Sequence, residues 1–443
     1  MKTPICDFIN KYASSQSLRL HMPGHKGKSQ LGFEKYDITE IVGADSLYHA
    51  NGIIKESEEN ATSLFESGKT LYSTEGSSHI IRAMLYLAKI HASGEDSYVL
   101  ASRNAHSSFI SACVLNDIDI EWLYGKDAKN YLSCIITAEE LEKALSCVDK
   151  MPICVYVTSP DYLGNMCDIS SLASVCKNHG VPLVVDNAHG AYLKFLDKDL
   201  HPISLGATMC CDSAHKTLPV LTGGAYLHIS KDAPILFNEM AKDALSLFGS
   251  TSPSYLTLAS LDNANKYIEN GYREKLNLFV ENIRSLFSDF NSFVSLNEPL
   301  KLVIEPKKIG YRGEDFAEIL QNKGVICEFF DEDYVVLMLS VENGLDEMKK
   351  LASIIENVEK NQSICKIATP LIPPKKKMTV RQGAYAQKEN IPLDRALGRV
   401  LASSCVSCPP AVSLIVCGEE FNESTVALCK KYGLTSFSVV KNK

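Results

Sequence analysis

The chain holds 443 residues, 45% hydrophobic and 22% charged, an ordinary composition for a water-soluble protein with room for two or three domains. A net charge of −8 with no arginine-rich stripe argues against nucleic-acid binding. The N-terminus lacks the apolar core of a secretion signal and no apolar run reaches membrane-spanning length, so a cytoplasmic protein with no membrane partner is expected. In chain order, a Gly76-Ser77-Ser78 turn opens a helical pattern over 78–91, and an apolar run at 97–101 predicts a strand. A helix at 138–146, a strand at 153–158 and a helix at 169–178 follow, then strands at 182–185, 208–211 and 225–229 and a long helix after Pro253. This alternation predicts an α/β large domain with a mostly parallel central sheet flanked by helices. Ser159, Asp186 and Ser213 would end strands along one sheet edge, where open α/β sheets place ligands.

After about residue 290 the texture changes. Strands at 302–305, 325–328 and 335–340 with helices at 317–323 and 345–359 predict a smaller C-terminal α+β domain. The division expected is an N-terminal arm (1–30), a large domain (31–290) and a small domain (291–443). A Pro/Lys stretch near 369–377, with the basic run Lys375-Lys376-Lys377, reads as a solvated linker before a helical, then proline-rich, terminal segment. Fifteen cysteines in so long a chain read as reduced thiols filling the core. Cys405 and Cys408 form a CxxC without a second close pair, and no metal is expected.

Lys216 carries the chemistry. An apolar strand ending on Asp186, followed by one that runs into Ser213-Ala214-His215-Lys216, delivers a carboxylate and an amine together. That pair suits pyridoxal phosphate (PLP): the lysine forms a Schiff base, and the aspartate keeps the ring nitrogen protonated so that the ring accepts electrons. Gly76, Ser77 and Ser78 offer a cup for the phosphate at a helix start, although Gly-Ser-Ser is also a common turn. Glu75 must point away from such a dianion. Ser213 and His215 can reach the phosphate. His189, just past Ala188, either covers the ring's edge or simply packs. His106 either lies flat on the ring or caps a helix.

These residues carry a resemblance to the Orn/Lys/Arg decarboxylases, of PLP fold type I (aspartate-aminotransferase-like). His21-Met22-Pro23-Gly24-His25-Lys26-Gly27 resembles the family's N-terminal signature, followed in order by Asp37-Ile38-Thr39-Glu40, Asp45-Ser46-Leu47 and Gly52-Ile53-Ile54. Arg103-Asn104-Ala105-His106-Ser107-Ser108 resembles the segment whose histidine stacks on the cofactor. Asp186-Asn187-Ala188-His189 and Ser213-Ala214-His215-Lys216-Thr217-Leu218 resemble the ring-nitrogen and Schiff-base segments. The turn Ser250-Thr251-Ser252-Pro253, with Ser260-Leu261-Asp262 beyond it, is similar to one that approaches the phosphate from a second subunit, so the resemblance implies a homodimer with shared active sites. His21 arrives early, as in the short form that includes arginine decarboxylases of Gram-positive bacteria.

The resemblance implies decarboxylation of a basic amino acid: arginine to agmatine first, with lysine to cadaverine or ornithine to putrescine as alternatives. The proton returns to Cα from Lys216 or His215. His25 and Glu419 are candidates for the substrate's side, although a surface position is the commoner one for a glutamate. Two departures stand out. Glu75 replaces the family's usual asparagine, and the C-terminal signature has eroded to Cys408-Pro409-Pro410-Ala411, retaining Gly418 and Glu419. An aminotransferase or aldolase on the same fold, or a non-catalytic PLP-binding paralogue, remain as rival readings.

Overall fold

The computed structural model describes residues 1–93, 97–125, 130–365, 372–404 and 411–442, and it divides into two compact units. The expected CxxC at Cys405 and Cys408 and the start of the linker, 369–371, lie outside the described residues. Among the described residues no helix is long and apolar enough to cross a membrane.

One unit comprises Met1–Gly94 and Ile169–Lys275. Its strands pair in the order Lys69–Ser73, Ala225–Ile229, Met209–Asp212, Leu183–Asp186. Leu183–Asp186 and Met209–Asp212 run parallel, whereas Ala225–Ile229 is antiparallel to both its neighbours. Every residue of the last three strands named is buried, which is why they read as continuous apolar runs rather than alternating ones. The helix Gly76–Ala92 buries Ile80, Ala83, Met84, Leu87 and Ala88, a stripe at helical spacing, and packs against the helix Ile235–Phe248. The helix Pro4–Ala13 begins with proline at its first position, where a missing N–H costs nothing.

The other unit comprises Glu95–Asp168 and Leu276–Lys443. Val155–Thr158, Tyr98–Ser102 and Asp119–Leu123 form a parallel set in that order. The helix Ala138–Ser146 begins at a capping box in which Thr137 and Glu140 satisfy each other's backbone N–H. A four-stranded antiparallel sheet runs Phe329–Phe330, Val335–Met338, Lys301–Ile304, Val294–Ser295. The expected strand at 325–328 is not formed; Glu328 makes one ladder bond, to the Val336 carbonyl, and pairing starts at Phe329.

The terminal segment is also more sheet-like than its helical, proline-rich texture predicts. Lys388–Pro392 pairs antiparallel with Ser436–Val440 over a core of Leu401, Ile415, Phe421, Cys429 and Val439. Lys375-Lys376-Lys377 is not solvated linker. Lys375–Lys376 pairs with Glu419–Glu420, the Lys376 Nζ meets Asp119 and Glu121, and Lys377 meets Glu420. Cationic side chains along a short exposed strand are ordered here by facing carboxylates.

Candidate active site

The strand Leu183–Asp186 delivers Asp186 with its side chain almost fully buried, 2% exposed. Its Oδ1 accepts from the Ala188 backbone N–H at 3.2 Å and lies 3.5 Å from the Cys211 Sγ on the neighbouring strand. The chain then turns tightly, with the Gly190 N–H donating to the Asn187 carbonyl at 2.8 Å. His189 leaves this turn buried, and its Nε2 lies 2.9 Å from the Lys216 Nζ.

Lys216 itself stands on the four-residue helix Ala214–Thr217, entered from the strand Met209–Asp212 through Ser213. The Lys216 side chain is half-buried and its amine ends on an imidazole rather than in bulk water. His215 points elsewhere, with Nδ1 2.9 Å from the Gly224 carbonyl. A carbonyl only accepts, so Nδ1 carries the proton, and a neutral His215 has only an acceptor at Nε2.

The helix Gly76–Ala92 begins beside Ser213. The Ser213 hydroxyl donates to Ser77 Oγ at 2.9 Å, which brings two of the expected phosphate donors together. A Cβ added at Gly76 would meet nothing, so the helix start faces open space. Gly223 supports it: its carbonyl accepts from the Gly76 N–H at 2.7 Å. Its φ is +94°, and a Cβ there would lie 2.5 Å from the Thr74 carbonyl oxygen, so only glycine fits. Glu75 does point away, its Oε1 accepting from the Ser250 N–H at 2.7 Å. Helix N-terminal amides, two hydroxyls, a buried carboxylate and an amine form a donor set that fits PLP.

The remaining expected site residues have local partners of their own. Ser252 lies in an exposed turn, its N–H donating to Ser250 Oγ at 3.1 Å. His25 is engaged on both ring nitrogens, by the Gly27 N–H at 3.0 Å and by Asp37 at 3.2 Å. In the second unit, His106 caps the helix Ser107–Asn116, with Nδ1 accepting from the Ser108 N–H at 3.1 Å. That is the capping alternative.

Glu419 is not a surface glutamate. It is 3% exposed, paired with Arg103 at 3.2 Å, and accepts the Val416 N–H at 2.8 Å. Burial pushes its carboxyl up while the Arg103 guanidinium opposes this. The Arg103 side chain also donates to the Ser413 and Leu414 carbonyls and lies over the Trp122 ring. Arg103 went unassigned in the sequence because a segment can be matched without revealing what its arginine binds.

Burial also holds the His215 and His228 imidazoliums below their ordinary pKa, opposed by the Gly224 carbonyl at one and by Asp212 at the other. A base depressed in this way binds fewer protons folded than unfolded. Its stability contribution is complete above the ordinary value of ~6.5 and is lost as pH falls towards the depressed one. The denaturant midpoint, followed by circular dichroism, is therefore expected to drop between about pH 7 and about pH 5, and His215→Gln should flatten that slope. An unchanged slope would remove His215 from the account.

Comparison with known proteins agrees with this geometry. The family model described as Orn/Lys/Arg decarboxylase, major domain, matches residues 3–303, and the one for the C-terminal domain matches residues 361–434. The chain is 27% identical to an arginine decarboxylase of Bacillus subtilis, with 96% of this chain and 92% of that protein covered. It is 26% identical to an arginine decarboxylase of Halalkalibacterium halodurans, over 97% of this chain and 93% of the other. Among solved structures it is similar to the lysine decarboxylase of Francisella novicida, with a TM-score of 0.79 at 17% identity, covering 99% of this chain and 81% of that one. That likeness bears out the PLP fold type I class, with its mostly parallel central sheet and smaller C-terminal domain. The chain belongs to the Orn/Lys/Arg decarboxylase family, and it is a decarboxylase.

Proposed function

We propose that this decarboxylase converts arginine to agmatine with release of CO2, using PLP, and that lysine and ornithine are its lesser substrates. The observation that carries the chemistry is the Lys216 Nζ placed 2.9 Å from His189 on the turn that begins at Asp186. The arginine preference is supported by the names of the relatives similar over nearly the whole chain. An aminotransferase or aldolase reading would use the same lysine and aspartate but has no support from the family match.

When bound, PLP supplies an electron sink that makes loss of the substrate's α-carboxylate feasible. Lys216 would hold it covalently, and the Asp186 carboxylate would favour a protonated ring nitrogen. Gly76, Ser77, Ser78 and Ser213 would hold the phosphate and His189 would steady the lysine amine, and His106 is given the ring-covering role that the family resemblance implies. Ala188 contributes the N–H that orients Asp186. His215 shapes the site, but its neutral ring has no proton to give from Nε2, so Lys216 Nζ returns the proton to Cα. Glu419, spent on Arg103, leaves the substrate's cation to another carboxylate.

Ser252 and its turn serve the active site of a second copy in a cytoplasmic homodimer, while residues 1–30 form an arm on the large domain 31–290 and 291–443 the small one. The deciding experiment is CO2 release from arginine, lysine and ornithine by the purified enzyme. Release from arginine at a kcat/KM at least ~10-fold above the others is expected, a difference of about 1.4 kcal/mol in transition-state binding. No release from any of them by protein carrying PLP would favour a non-catalytic paralogue.

A further inference from the structure

Behind the turn that carries Asp186 and His189 lies a buried polar cluster to which the decarboxylase reading gives no task. Asp212, the last residue of its strand, is fully buried. Its Oδ2 lies 3.0 Å from the Nε2 of His201 and 3.1 Å from the Nε2 of His228, and its Oδ1 accepts from Asn187 Nδ2 at 2.7 Å. On the far side of His228, Nδ1 is 2.8 Å from the Thr70 hydroxyl, which is 2.7 Å from Ser67 Oγ.

The proton assignments close. Thr70 donates to Nδ1, so His228 carries its proton on Nε2 and donates to Asp212, as does His201. Burial alone would push the Asp212 carboxyl up, but the two imidazoles hold it well below the usual carboxylate range. A buried anion thus receives three N–H donors, the condition under which a buried charge is tolerated. Cys210 sits beside the cluster, its Sγ 4.0 Å from the His201 Nε2, so that His201, Cys210 and Asp212 have the composition of a metal site. The N–H protons, however, occupy the directions in which a metal would need lone pairs.

Asn187 connects this cluster to the site. Its backbone N–H donates to the Cys211 carbonyl at 3.0 Å and its carbonyl accepts from Gly190. Its amide lies against Gly190 so closely that a Cβ there would fall 2.0 Å from Oδ1. Fixing this amide therefore fixes residues 186–190, with Asp186 on one side of it and His189 on the other.

We propose that Asp212, His201, His228 and Asn187 form a positioning network that sets the 186–190 turn, so that Asp186 and His189 reach the cofactor ring and the Lys216 amine together. It rests on the PLP reading above. A merely structural network would lower stability without touching the cofactor.

The test uses a polarity swap in the holoenzyme. Asn187→Asp sets two carboxylates against each other across a 2.7 Å contact. Adding Asp212→Asn restores one donor and one acceptor, with the oxygen of the new amide still facing the imidazoles. Asn187→Asp is expected to speed PLP dissociation at least ~30-fold and to shift the visible absorption band, and the double variant to return dissociation to within ~3-fold of the parent. Thr70→Val, at the far end of the chain of bonds, should speed dissociation by about 3-fold and shift the band in the same direction, and it decides the matter if Asn187→Asp does not fold.

The proposal is overturned if these variants lower the unfolding midpoint but leave band and dissociation unchanged, or if the purified protein holds a stoichiometric metal ion. A parent enzyme with no visible band would instead sink the cofactor reading itself.

Discussion

Lys216→Ala is expected to lower the rate of CO2 release at least ~10³-fold and to erase the visible absorption that lysine-bound PLP gives, with the far-ultraviolet circular dichroism unchanged. Three features converge on that outcome. On the proposed reading the lysine amine is the nucleophile that holds the cofactor, and its partner His189 cannot replace it because an imidazole forms no stable link of that kind to an aldehyde. His215, the other candidate for returning the proton, spends its Nδ1–H on the Gly224 carbonyl. The fold should survive, because the lysine stands half-buried on a helix of four residues and its removal opens no cavity in a strand core. Lys216→Arg should fare no better, since a guanidinium stays protonated and cannot attack. Turnover within ~10-fold of the parent, with the band intact, would place the attachment at another residue.

Where the sequence was legible, burial was simple. Ala225–Ile229, Ala138–Ser146 and Ile169–Asn178 have the ends their patterns predict, because the strand is buried on both faces and each helix has a regular buried stripe. Lys69–Ser73 escaped because Thr70 and Ser73 are fully buried yet polar, satisfied by His228 and His79 in partnerships a linear pattern does not display. Asp119–Leu123 escaped because its alternation is that of an outer strand of a parallel set, with Glu121 exposed. The candidate site divides in the same way. Asp186, Ser213 and Lys216 stand at the ends of apolar runs and could be read directly. Asp212, just before Ser213 and past the expected end of its strand at 211, carries no assignment in the sequence, and its partners at 187, 201 and 228 are assembled only by folding.

The eroded C-terminal signature finds its explanation in the second unit, where the expected effect of a single substitution on stability is largest. The segment that follows the lost residues docks on the Arg103–His106 stretch mainly through backbone groups. The Ser107 N–H donates to the Ala411 carbonyl at 2.7 Å, His106 bridges to Val412, and the Arg103 guanidinium takes the Ser413 and Leu414 carbonyls. Such contacts tolerate changes of side chain. The two retained residues do not share that tolerance. Gly418 has φ of +91°, and a Cβ there would lie 2.5 Å from the Met378 carbonyl oxygen, while Glu419 is the counter-ion of Arg103.

Arg103→Met is therefore expected to cost about 3–5 kcal/mol, read as a fall in denaturant midpoint, because it strands a buried carboxylate and abandons two carbonyls. The sign of its pH dependence follows from Glu419. Without the guanidinium, burial raises the folded pKa of that carboxyl further above its unfolded value. The penalty is then absent below the unfolded value and grows as pH rises through the raised one, so the deficit should be larger at about pH 8 than at about pH 5. Adding Glu419→Gln to Arg103→Met removes the stranded charge and should recover part of the loss together with the pH dependence. A deficit that ignores pH and is not relieved by the second substitution would mean that packing over Trp122, rather than the ion pair, holds this end of the fold.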